Sequence, residues 1–334
     1  MQGGNVKVAI CGDGGWGTAL SILLKNKGLD VHVWGAFQDN IDEINKEGVN
    51  RKFLPGVKIP KGIAFTHDPD KACKGADLIV IATPSRFLRE ALEKHKSLLK
   101  NANAPFLSVV KGLEQGSLKR MSEVICEVLG DVRLAVLSGP SIAPEVAREI
   151  PTAVVAASKD QKLAQEIRDI FRTERFRVYS NEDVVGVELG GALKNIIAIA
   201  VGISDGLGLG ANTKAALMTR GLREMAMLGV SMGASIETFQ GLSGLGDLVT
   251  TCISLEGRNR GFGEKIGNGK KPKDILKKSV AEIEGAWSVK AALELGKMYL
   301  VELPITQQVY SVVFENKSAI TAVNELMLRE PKAE

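Results

Sequence analysis

The chain has 334 residues, which is too long for one ordinary hydrophobic core and predicts two domains. Its 45% hydrophobic and 25% charged residues are average for a soluble globular protein, and a net charge of +4 is too small to indicate nucleic-acid binding, although it suits a small anionic substrate. The first residues, MQGGNVK, lack the features of a targeting peptide, and the longest uncharged apolar stretch, residues 196–203, is too short to cross a bilayer.

The first predicted element is a strand over residues 7–10, followed by a glycine-rich turn and a helix from Thr18. Gly12, Gly14 and Gly17 have G-x-G-x-x-G spacing, which in this context indicates a dinucleotide-binding site. The first glycine allows a tight turn, the second lets a pyrophosphate approach, and the third lets the helix pack on the strand. The N–H groups at the helix start would face the phosphates. The alternative is a glycine-rich turn in another kind of α/β protein.

The second predicted strand covers residues 30–34, and its end normally carries an acidic residue for the cofactor ribose or an arginine for a 2′-phosphate. Trp34, Gly35 and Ala36 supply neither, so this position leaves the choice between NAD and NADP open. Asp39 is near enough to reach the ribose, but an acid at a helix N-terminus is the simpler interpretation. Residues 50–60 are predicted to form a loop with three basic side chains.

Apolar runs then predict strands over residues 77–82, 105–110, 133–137, 152–157 and 176–179, with a helix over 159–172. The alternation predicts an α/β fold with a Rossmann-type, doubly wound and mostly parallel sheet. Ligands bind beyond the carboxyl ends of such strands, where the glycine turn and residues 83–85, 111–112 and 138–141 are expected. Lys111 ends a buried strand and is therefore a candidate ligand group, the alternative being a surface lysine.

From about residue 183 strand patterns stop, which predicts an all-α C-terminal domain. The predicted boundaries are residues 1–182 for the dinucleotide-binding domain and residues 183–334 for a helical substrate-binding and catalytic domain. Residues 184–203 form an apolar helix whose only ionisable side chains are Glu188 and Lys194. Such a helix is expected at the centre of the second domain.

Lys194 is the main catalytic candidate, because buried lysines are rare unless they are paired or functional. Burial and a nearby cation such as Lys111 would lower its pKa, so that it could exchange protons near neutral pH, while an adjacent carboxylate would oppose this shift. Gly190 and Gly191 share its helix face and leave room beside the ammonium group. The alternative is a structural lysine paired with Glu188 or Asp205.

Two later segments carry further candidates. Asp247 follows three glycines on a predicted tight loop that enters a helix, where it could simply be the N-cap. Arg258, Asn259 and Arg260 precede a helical stretch, and side-chain donors together with helix N–H groups suit a phosphate. The alternative is a solvated basic turn.

Residue types also exclude mechanisms. All three histidines lie in the first third of the chain, which excludes a histidine base in the second domain and makes a histidine-rich metal site unexpected. No tyrosine has a lysine four residues later, so a Tyr-x-x-x-Lys mechanism fails as well. The remaining possibility is a lysine-assisted reaction. The four cysteines have no C-x-x-C spacing, which favours buried free thiols and a reducing, cytoplasmic location.

With these segments in view, the chain resembles the bacterial-type NAD(P)-dependent glycerol-3-phosphate dehydrogenases over nearly its whole length. The shared motifs occur in the family's order and spacing, and they include GDGGWGTAL, FLPG, VVKGLE, SGPS, GVELGGALKNIIAIA, GLSGLGDLVTTC and GRNRGFG. The resemblance implies reversible reduction of dihydroxyacetone phosphate to sn-glycerol 3-phosphate with NAD or NADP, a supply of glycerol 3-phosphate for phospholipid synthesis, and a homodimer.

The resemblance also implies roles for individual residues. Lys194 would be the catalytic proton donor and acceptor. The substrate would be held by Lys111, Gly139, Ser141, Lys194, Asp247, Arg258 and Asn259. The cofactor would contact Gly15, Trp16, Lys111, Ala143, Arg258 and Glu284, in addition to Gly12, Gly14 and Gly17 of the turn. No metal is implied.

Three departures from the family pattern concern the cofactor and phosphate sites. Gly15 stands where the family usually has Ser, and Gly257 stands where Ser is common. The stretch after Trp34 lacks the basic residue of many members, which weakens the case for strict NADP use. Two other functions stay open: a reductase of a 2-keto or 3-hydroxy acid, which the Arg258–Asn259 cluster disfavours, and a cofactor-binding sensor without catalysis.

Overall fold

The computed structural model describes residues 6–330. Within that range the strands are β1 Lys7–Cys11, β2 Asp30–Trp34, β3 Val49–Asn50, β4 Leu54–Lys58, β5 Ala64–Thr66, β6 Leu78–Ile81, β7 Phe106–Ser108, β8 Leu134–Ser138, β9 Thr152–Ala157 and β10 Phe176–Asn181.

The helices of the first half are α1 Gly15–Asn26, α2 Gln38–Glu47, α3 Pro69–Cys73, α4 Leu88–Lys94, α5 Lys96–Asn101, α6 Met121–Leu129, α7 Ala143–Ala147 and α8 Gln161–Phe171. Those of the second half are α9 Val184–Gly206, α10 Ala211–Ser231, α11 Ile236–Gln240, α12 Asp247–Ile253, α13 Arg258–Gly267, α14 Pro272–Lys278, α15 Glu284–Met298, α16 Pro304–Phe314 and α17 Ala319–Met327. A 3₁₀ turn covers Ser85–Phe87, and a π turn covers Leu242–Gly246.

Eight strands form one sheet in the order β10-β9-β8-β7-β6-β1-β2-β5. All neighbouring strands are parallel except β8 and β9, which are antiparallel. The central strands are apolar because helices cover both faces, and β6 is buried along its whole length. The structure confirms the Rossmann-type sheet and the helical C-terminal region, with the predicted strands displaced by one or two residues at their ends.

The predicted loop over residues 50–60 was wrong, because the segment contains a strand. β3 and β4 pair antiparallel, with Val49 opposite Lys58 and Asn50 opposite Leu54. Leu54 and Val57 are buried, and this packing overrides the turn signal of the intervening proline and glycine. Asn50 fixes the hairpin to the glycine turn, since its Nδ2 donates to the Asp13 carbonyl at 2.8 Å. We call residues 49–58 the β3–β4 hairpin.

Helix α9 is the centre of the helical region, and its middle residues are buried on every side. Its N-terminus is capped by Asp183, whose carboxylate accepts from the Gly186 N–H at 2.8 Å. In the described part of the chain it is the one helix long and apolar enough to cross a membrane, contrary to the expectation that no segment is. However, 89% of its apolar window is buried inside the protein, as in a core helix.

Helices α9 and α13 pack backbone against backbone. A Cβ on Gly202 would lie 1.9 Å from the Arg260 carbonyl oxygen, and one on Gly263 would lie 2.1 Å from the Ile199 carbonyl oxygen. Only glycine therefore permits this approach. The predicted domain boundary at residues 182 and 183 falls between the end of β10 and the beginning of α9.

All four cysteines are free thiols. Cys11, Cys73 and Cys252 are buried, as expected, whereas Cys126 is exposed because it lies on the outward face of α6.

Candidate active site

Two lysines and one carboxylate meet between the sheet and the helical region. Lys194 of α9 donates to Asp247 Oδ1 at 2.7 Å, and Lys111, beyond the end of β7, donates to Asp247 Oδ2 at 2.8 Å. Lys194 and Asp247 are 6% and 1% exposed, so both charges are removed from bulk water. One carboxylate thus bridges two ammonium groups from different parts of the fold.

Burial is the main cause of the unusual acidity of Lys194, because it penalises the ammonium form and lowers the pKa to about 8. The Asp247 carboxylate opposes this shift, while the Lys111 charge adds to it. The lowering of the pKa by burial and by Lys111, and the opposing effect of an adjacent carboxylate, were both expected from the sequence. The result is a lysine that can give or take a proton close to neutral pH.

The alternative pairing of Lys194 with Glu188 or Asp205 was wrong. Glu188 accepts from Arg120 Nη1 at 2.6 Å, and Asp205 accepts from Arg260 Nε at 2.8 Å. Both acids lie on α9, but they project to other neighbours. The partner of Lys194 is instead Asp247, the first residue of α12, which packs against α9.

Asp247 was expected on a tight loop, and it follows a π turn as the first residue of α12. The N-cap of α12 is Gly246, so the Asp247 side chain is not used as a cap and is directed to the two lysines. Gly190 lets the π turn approach, since a Cβ there would lie 2.4 Å from the Ser243 carbonyl oxygen. The room that Gly190 was expected to leave beside the Lys194 ammonium group is thus filled by the backbone of the π turn.

The loop after β8 completes the surroundings of Lys111. Its Nζ donates to the Gly139 carbonyl at 2.9 Å and to Ser141 Oγ at 3.2 Å. Gly139 has φ +132°, a conformation that favours glycine. A Cβ on Gly191 would lie 3.3 Å from Lys111 Cγ, so this glycine lets the two strand-end loops reach α9.

The start of α13 lies next to this cluster. Asn259 Nδ2 donates to Asn195 Oδ1 at 2.9 Å, and Asn195 directly follows Lys194. Asn259 Oδ1 accepts from the Gly285 N–H at 3.0 Å, so the amide is held in a fixed orientation. Arg258 is exposed; its guanidinium donates to the Glu282 carbonyl at 3.1 Å, and its charge partly opposes the rise that burial causes in the pKa of nearby Glu284.

Arg260 does not join the predicted anion cluster. It is buried, and its guanidinium pairs with Asp205 at 2.8 Å and Glu264 at 3.3 Å. The reason is helical periodicity: α13 begins at Arg258, so a residue two positions later points to the opposite side, toward α9.

The glycine turn fits a dinucleotide on three observations. Gly12 has φ +136°, and a Cβ there would lie 2.7 Å from the Ala82 backbone, so the first glycine is needed for the turn. A Cβ on Gly17 would lie 2.0 Å from the Gly12 carbonyl oxygen, so the third is needed for helix packing. Gly14 meets nothing within 4 Å, which leaves its backbone open to a ligand.

Helix α1 begins at Gly15 with Gly14 as N-cap and no side-chain cap, so its first N–H groups are available to a phosphate. Trp16 Nε1 is buried without a partner among the described residues, an orphan donor of the kind a ligand satisfies. A Cβ on Gly15 would lie 3.9 Å from Ala143 Cβ, which places the start of α7 beside the glycine turn. The residues present therefore fit NAD or NADP.

Glu284 connects the helical region to the loop after β6. Its carboxylate accepts from the Ser85 N–H at 3.2 Å and from the Ser85 hydroxyl. Burial raises the pKa of Glu284, and the Ser85 hydrogen bonds oppose that shift. Glu284 thus lies at the carboxyl edge of the sheet, where a nicotinamide cofactor is expected.

Sequence reasoning missed Thr251, and it named Ser138 only as part of the loop 138–141 that was expected at the ligand site. Thr251 Oγ1 accepts from Lys194 Nζ at 2.5 Å and donates to the Asp247 carbonyl at 2.7 Å. Its spacing of four residues from Asp247 was the available signal, because it places both on one helix face. Ser138 Oγ is buried without a partner among residues 6–330, beside Gly191.

No group of three or more His, Cys, Asp or Glu side chains in the described part of the chain is placed to hold a metal ion.

Comparisons with known proteins identify the family. Models of the N-terminal and C-terminal parts of NAD-dependent glycerol-3-phosphate dehydrogenase match residues 7–164 and 183–324. A glycerol-3-phosphate dehydrogenase [NAD(P)+] of Pelotomaculum thermopropionicum is 50% identical over 97% of this chain and 93% of its own length. One of Geobacter metallireducens is 47% identical over 98% of both chains.

A crystal structure of glycerol-3-phosphate dehydrogenase from Coxiella burnetii superposes with a TM-score of 0.93 at 41% identity, covering 97% of this chain and 99% of that one. Both halves of the chain are thus matched in sequence, and nearly the whole chain is matched in structure. The chain belongs to the NAD-dependent glycerol-3-phosphate dehydrogenase family.

Proposed function

We propose that this chain catalyses the reversible reduction of dihydroxyacetone phosphate to sn-glycerol 3-phosphate with NADH or NADPH. The observation that carries the proposal is Lys194, a buried lysine with a pKa of about 8 that is held by Asp247 opposite Lys111. A ketone reduction needs a proton donor at the carbonyl oxygen, and Lys194 is suited to that role.

Each residue of the cluster has a distinct task. Lys194 donates its proton to the oxygen that becomes the alcohol, and it takes the proton back in the reverse direction. Asp247 and Thr251 fix the orientation of the ammonium group. Lys111 stabilises negative charge that develops on the substrate. Bound NADH or NADPH supplies the hydride.

Phosphate binding is assigned to the start of α13. The Arg258 guanidinium and the free N–H groups of that helix end suit a dianion, and Asn259 ties this end to α9 through Asn195. Holding the phosphate there orients the carbonyl toward Lys194. Gly139 and Ser141 hold Lys111 in place.

Replacing Lys194 with Ala tests the assignment directly. Removing the proton donor is expected to lower kcat about 10²–10⁴-fold, while NADH still binds with its original Kd because the glycine turn is unchanged. Turnover is followed by loss of reduced-nicotinamide absorbance with dihydroxyacetone phosphate. Lys214→Ala removes a lysine paired with Asp205 and serves as the control. Near-normal turnover of Lys194→Ala would contradict the proposal.

Arg258→Ala separates this function from reduction of an unphosphorylated 2-keto or 3-hydroxy acid. Loss of one charge-assisted contact is expected to raise KM for dihydroxyacetone phosphate about ten- to a hundredfold. An unchanged KM would favour the alternative substrates. Absence of any turnover by the wild-type chain would instead favour a cofactor-binding sensor.

We further propose that the enzyme acts in the cytoplasm as a homodimer and supplies glycerol 3-phosphate to phospholipid synthesis. The free thiols support a reducing compartment. The exposed Met227, Val230 and Ile236 of neighbouring helices supply apolar surface for a second copy.

A further inference from the structure

The end of β2 shows how this chain treats the adenosine part of its cofactor. In Rossmann-type sheets that position distinguishes the 2′-hydroxyl of NAD from the 2′-phosphate of NADP. A Cβ on Gly35, directly after β2, would lie 2.6 Å from Ile41 Cδ1 and 2.7 Å from Asp13 Cγ. A side chain at residue 35 would have to displace the ends of the Ile41 and Asp13 side chains, and the glycine present supplies no acid at the end of β2.

The carboxylate packed against Gly35 is turned into the protein. Asp13 is 6% exposed, and its Oδ2 accepts from Asn40 Nδ2 at 2.6 Å. Asp13 is thus directed below the surface, so the strand end itself presents no carboxylate to a ribose, and Asp39 at the start of α2 is the remaining acid nearby.

The β3–β4 hairpin brings a cation to the same place. Lys52 Nζ lies 4.8 Å from the ring centroid of Phe37, which is 59% exposed two residues after Gly35, and 5.1 Å from that of Phe53. Among the described residues no carboxylate lies within 4 Å of Lys52, whereas neighbouring Arg51 pairs with Glu43 and Glu47 on α2. Lys52 is therefore exposed without an ion pair at that distance, and its charge acts on buried Asp13 from farther away, where it partly offsets the rise in the pKa of Asp13 that burial causes.

The hairpin is also close to the phosphate end of the site. A Cβ on Gly15 would lie 2.5 Å from the Phe53 carbonyl oxygen, so the absence of a side chain at the start of α1 lets the hairpin pack onto it. This contact places residue 52 between the glycine turn and the end of β2. A phosphate on the adenosine ribose would lie between the same two elements.

We propose that Lys52 binds the 2′-phosphate of NADP(H) and gives this chain its preference for the phosphorylated cofactor. The inference rests on the proposed cofactor use. The stretch after β2 has no basic side chain that could bind this phosphate. The hairpin supplies one instead. An ammonium on a flexible stem suits a phosphate as a point charge.

Binding of two small probes tests the proposal without catalysis. Adenosine 2′,5′-bisphosphate and adenosine 5′-monophosphate differ only in the 2′-phosphate, and their Kd values are measured by titration calorimetry on the full chain. The wild type is expected to bind the bisphosphate at least about tenfold more tightly. Lys52→Gln is expected to remove that difference by weakening the bisphosphate alone, and Lys52→Arg is expected to retain it.

Lys58→Gln is the matched control, since Lys58 is an exposed lysine at the far end of the same hairpin. Its Kd values are expected to equal those of the wild type. In steady-state assays Lys52→Gln should raise KM for NADPH about tenfold and leave KM for NADH unchanged.

Three results would overturn the proposal: equal wild-type affinity for both probes, equal weakening of both by Lys52→Gln, or loss of the difference in Lys58→Gln. The proposal would also be overturned if Asp39→Asn weakened binding of the monophosphate alone. That result would show that an acid which favours NAD binds the ribose 2′-oxygen. Failure of dihydroxyacetone phosphate reduction with both cofactors would contradict the proposed function and leave the binding comparison valid.

Discussion

At the scale of single residues, the proposed role of Lys194 as proton donor predicts how activity depends on pH. Reduction uses the ammonium form, and the protonated fraction falls as pH rises through about 8. We expect kcat/KM for dihydroxyacetone phosphate to decline above pH 8, because the proton donor is lost. For glycerol 3-phosphate oxidation kcat/KM should rise to a plateau above pH 8, because the neutral amine accepts the proton.

The two pH profiles are measured with NADH and NAD under matched salt. A reduction rate that stays level up to the ordinary lysine pKa of 10.5 would show that burial does not set the acidity of Lys194. Substrate phosphate titrates below this range, so it does not contribute to the upper limb.

The residue scale is also where sequence reasoning was least complete. Lys194, Lys111 and Asp247 were identified because each is an unusual residue in its local pattern. Thr251 was missed because a threonine inside a helix is ordinary, and only the fold shows that it contacts Lys194. Arg260 was assigned to the wrong side because its direction depends on where α13 begins.

At the scale of elements, the packing of α9 on α13 predicts opposite effects for two glycine substitutions. Ala is favoured over Gly in a helix by about 1 kcal/mol, but a Cβ on Gly202 would lie 1.9 Å from the Arg260 carbonyl oxygen. We expect Gly202→Ala to lower the free energy of unfolding by about 2 kcal/mol or more, because two backbones must separate.

The control for this prediction is Gly261→Ala on α13, the helix that packs against Gly202 of α9. A Cβ at Gly261 meets nothing within 4 Å, so the substitution changes only the helix propensity. Because alanine favours a helix more than glycine does, it should stabilise the protein by up to about 1 kcal/mol. Denaturant unfolding of both variants gives the comparison. Equal effects of the same sign would refute the account of the interface.

Elements were predicted well where one physical signal dominated. Apolar runs buried on both faces identified the inner strands of the sheet, and the low charge of residues 184–203 identified α9. The β3–β4 hairpin was missed because its strands are short and contain proline and glycine. Its stability comes from Leu54 and Val57, which are buried in the hydrophobic core of the sheet region beside α1 and α7, and from Asn50, which no local pattern reveals.

At the scale of the whole molecule, buried polar contacts connect the sheet to the helical region. Besides Lys111 with Asp247 and Ser85 with Glu284, Arg120 donates to Glu188 of α9 at 2.6 Å. The Glu188 and Arg120 side chains are 5% and 13% exposed. Helix α9, which carries Lys194, is thereby fixed relative to the strand ends.

We expect Glu188→Ala to lower the free energy of unfolding by about 2–3 kcal/mol, because it removes the charge-assisted bonds from Arg120 and the Ser122 N–H, while Arg120 keeps Glu123 at 2.8 Å. KM for dihydroxyacetone phosphate should also rise, since Lys194 and Lys111 are less firmly aligned, while the Kd of NADH stays constant. Thermal unfolding and initial-rate kinetics measure these effects.

The comparison is Lys119→Gln, which removes an exposed ion pair with Glu127. Such a pair should contribute at most about 1 kcal/mol to the free energy of unfolding. If the buried and the exposed substitution had equal effects, the Arg120–Glu188 contact would not be what fixes α9.

The backbone packing of α9 against α13 has a consequence for substrate size. Lys194 lies on one of these helices and the proposed phosphate-binding end on the other, and Asn195 and Asn259 join them at 2.9 Å. Because the two backbones pack in direct contact, we expect the distance between the proposed proton donor and the proposed anion site to be fixed by this interface. A ketone phosphate with one additional methylene between its carbonyl and its phosphate would reach the anion site with its carbonyl displaced from Lys194. On the proposed assignment, selection for a three-carbon substrate depends on four glycines of this interface, Gly202, Gly206, Gly263 and Gly267, none of which is among the proposed substrate contacts.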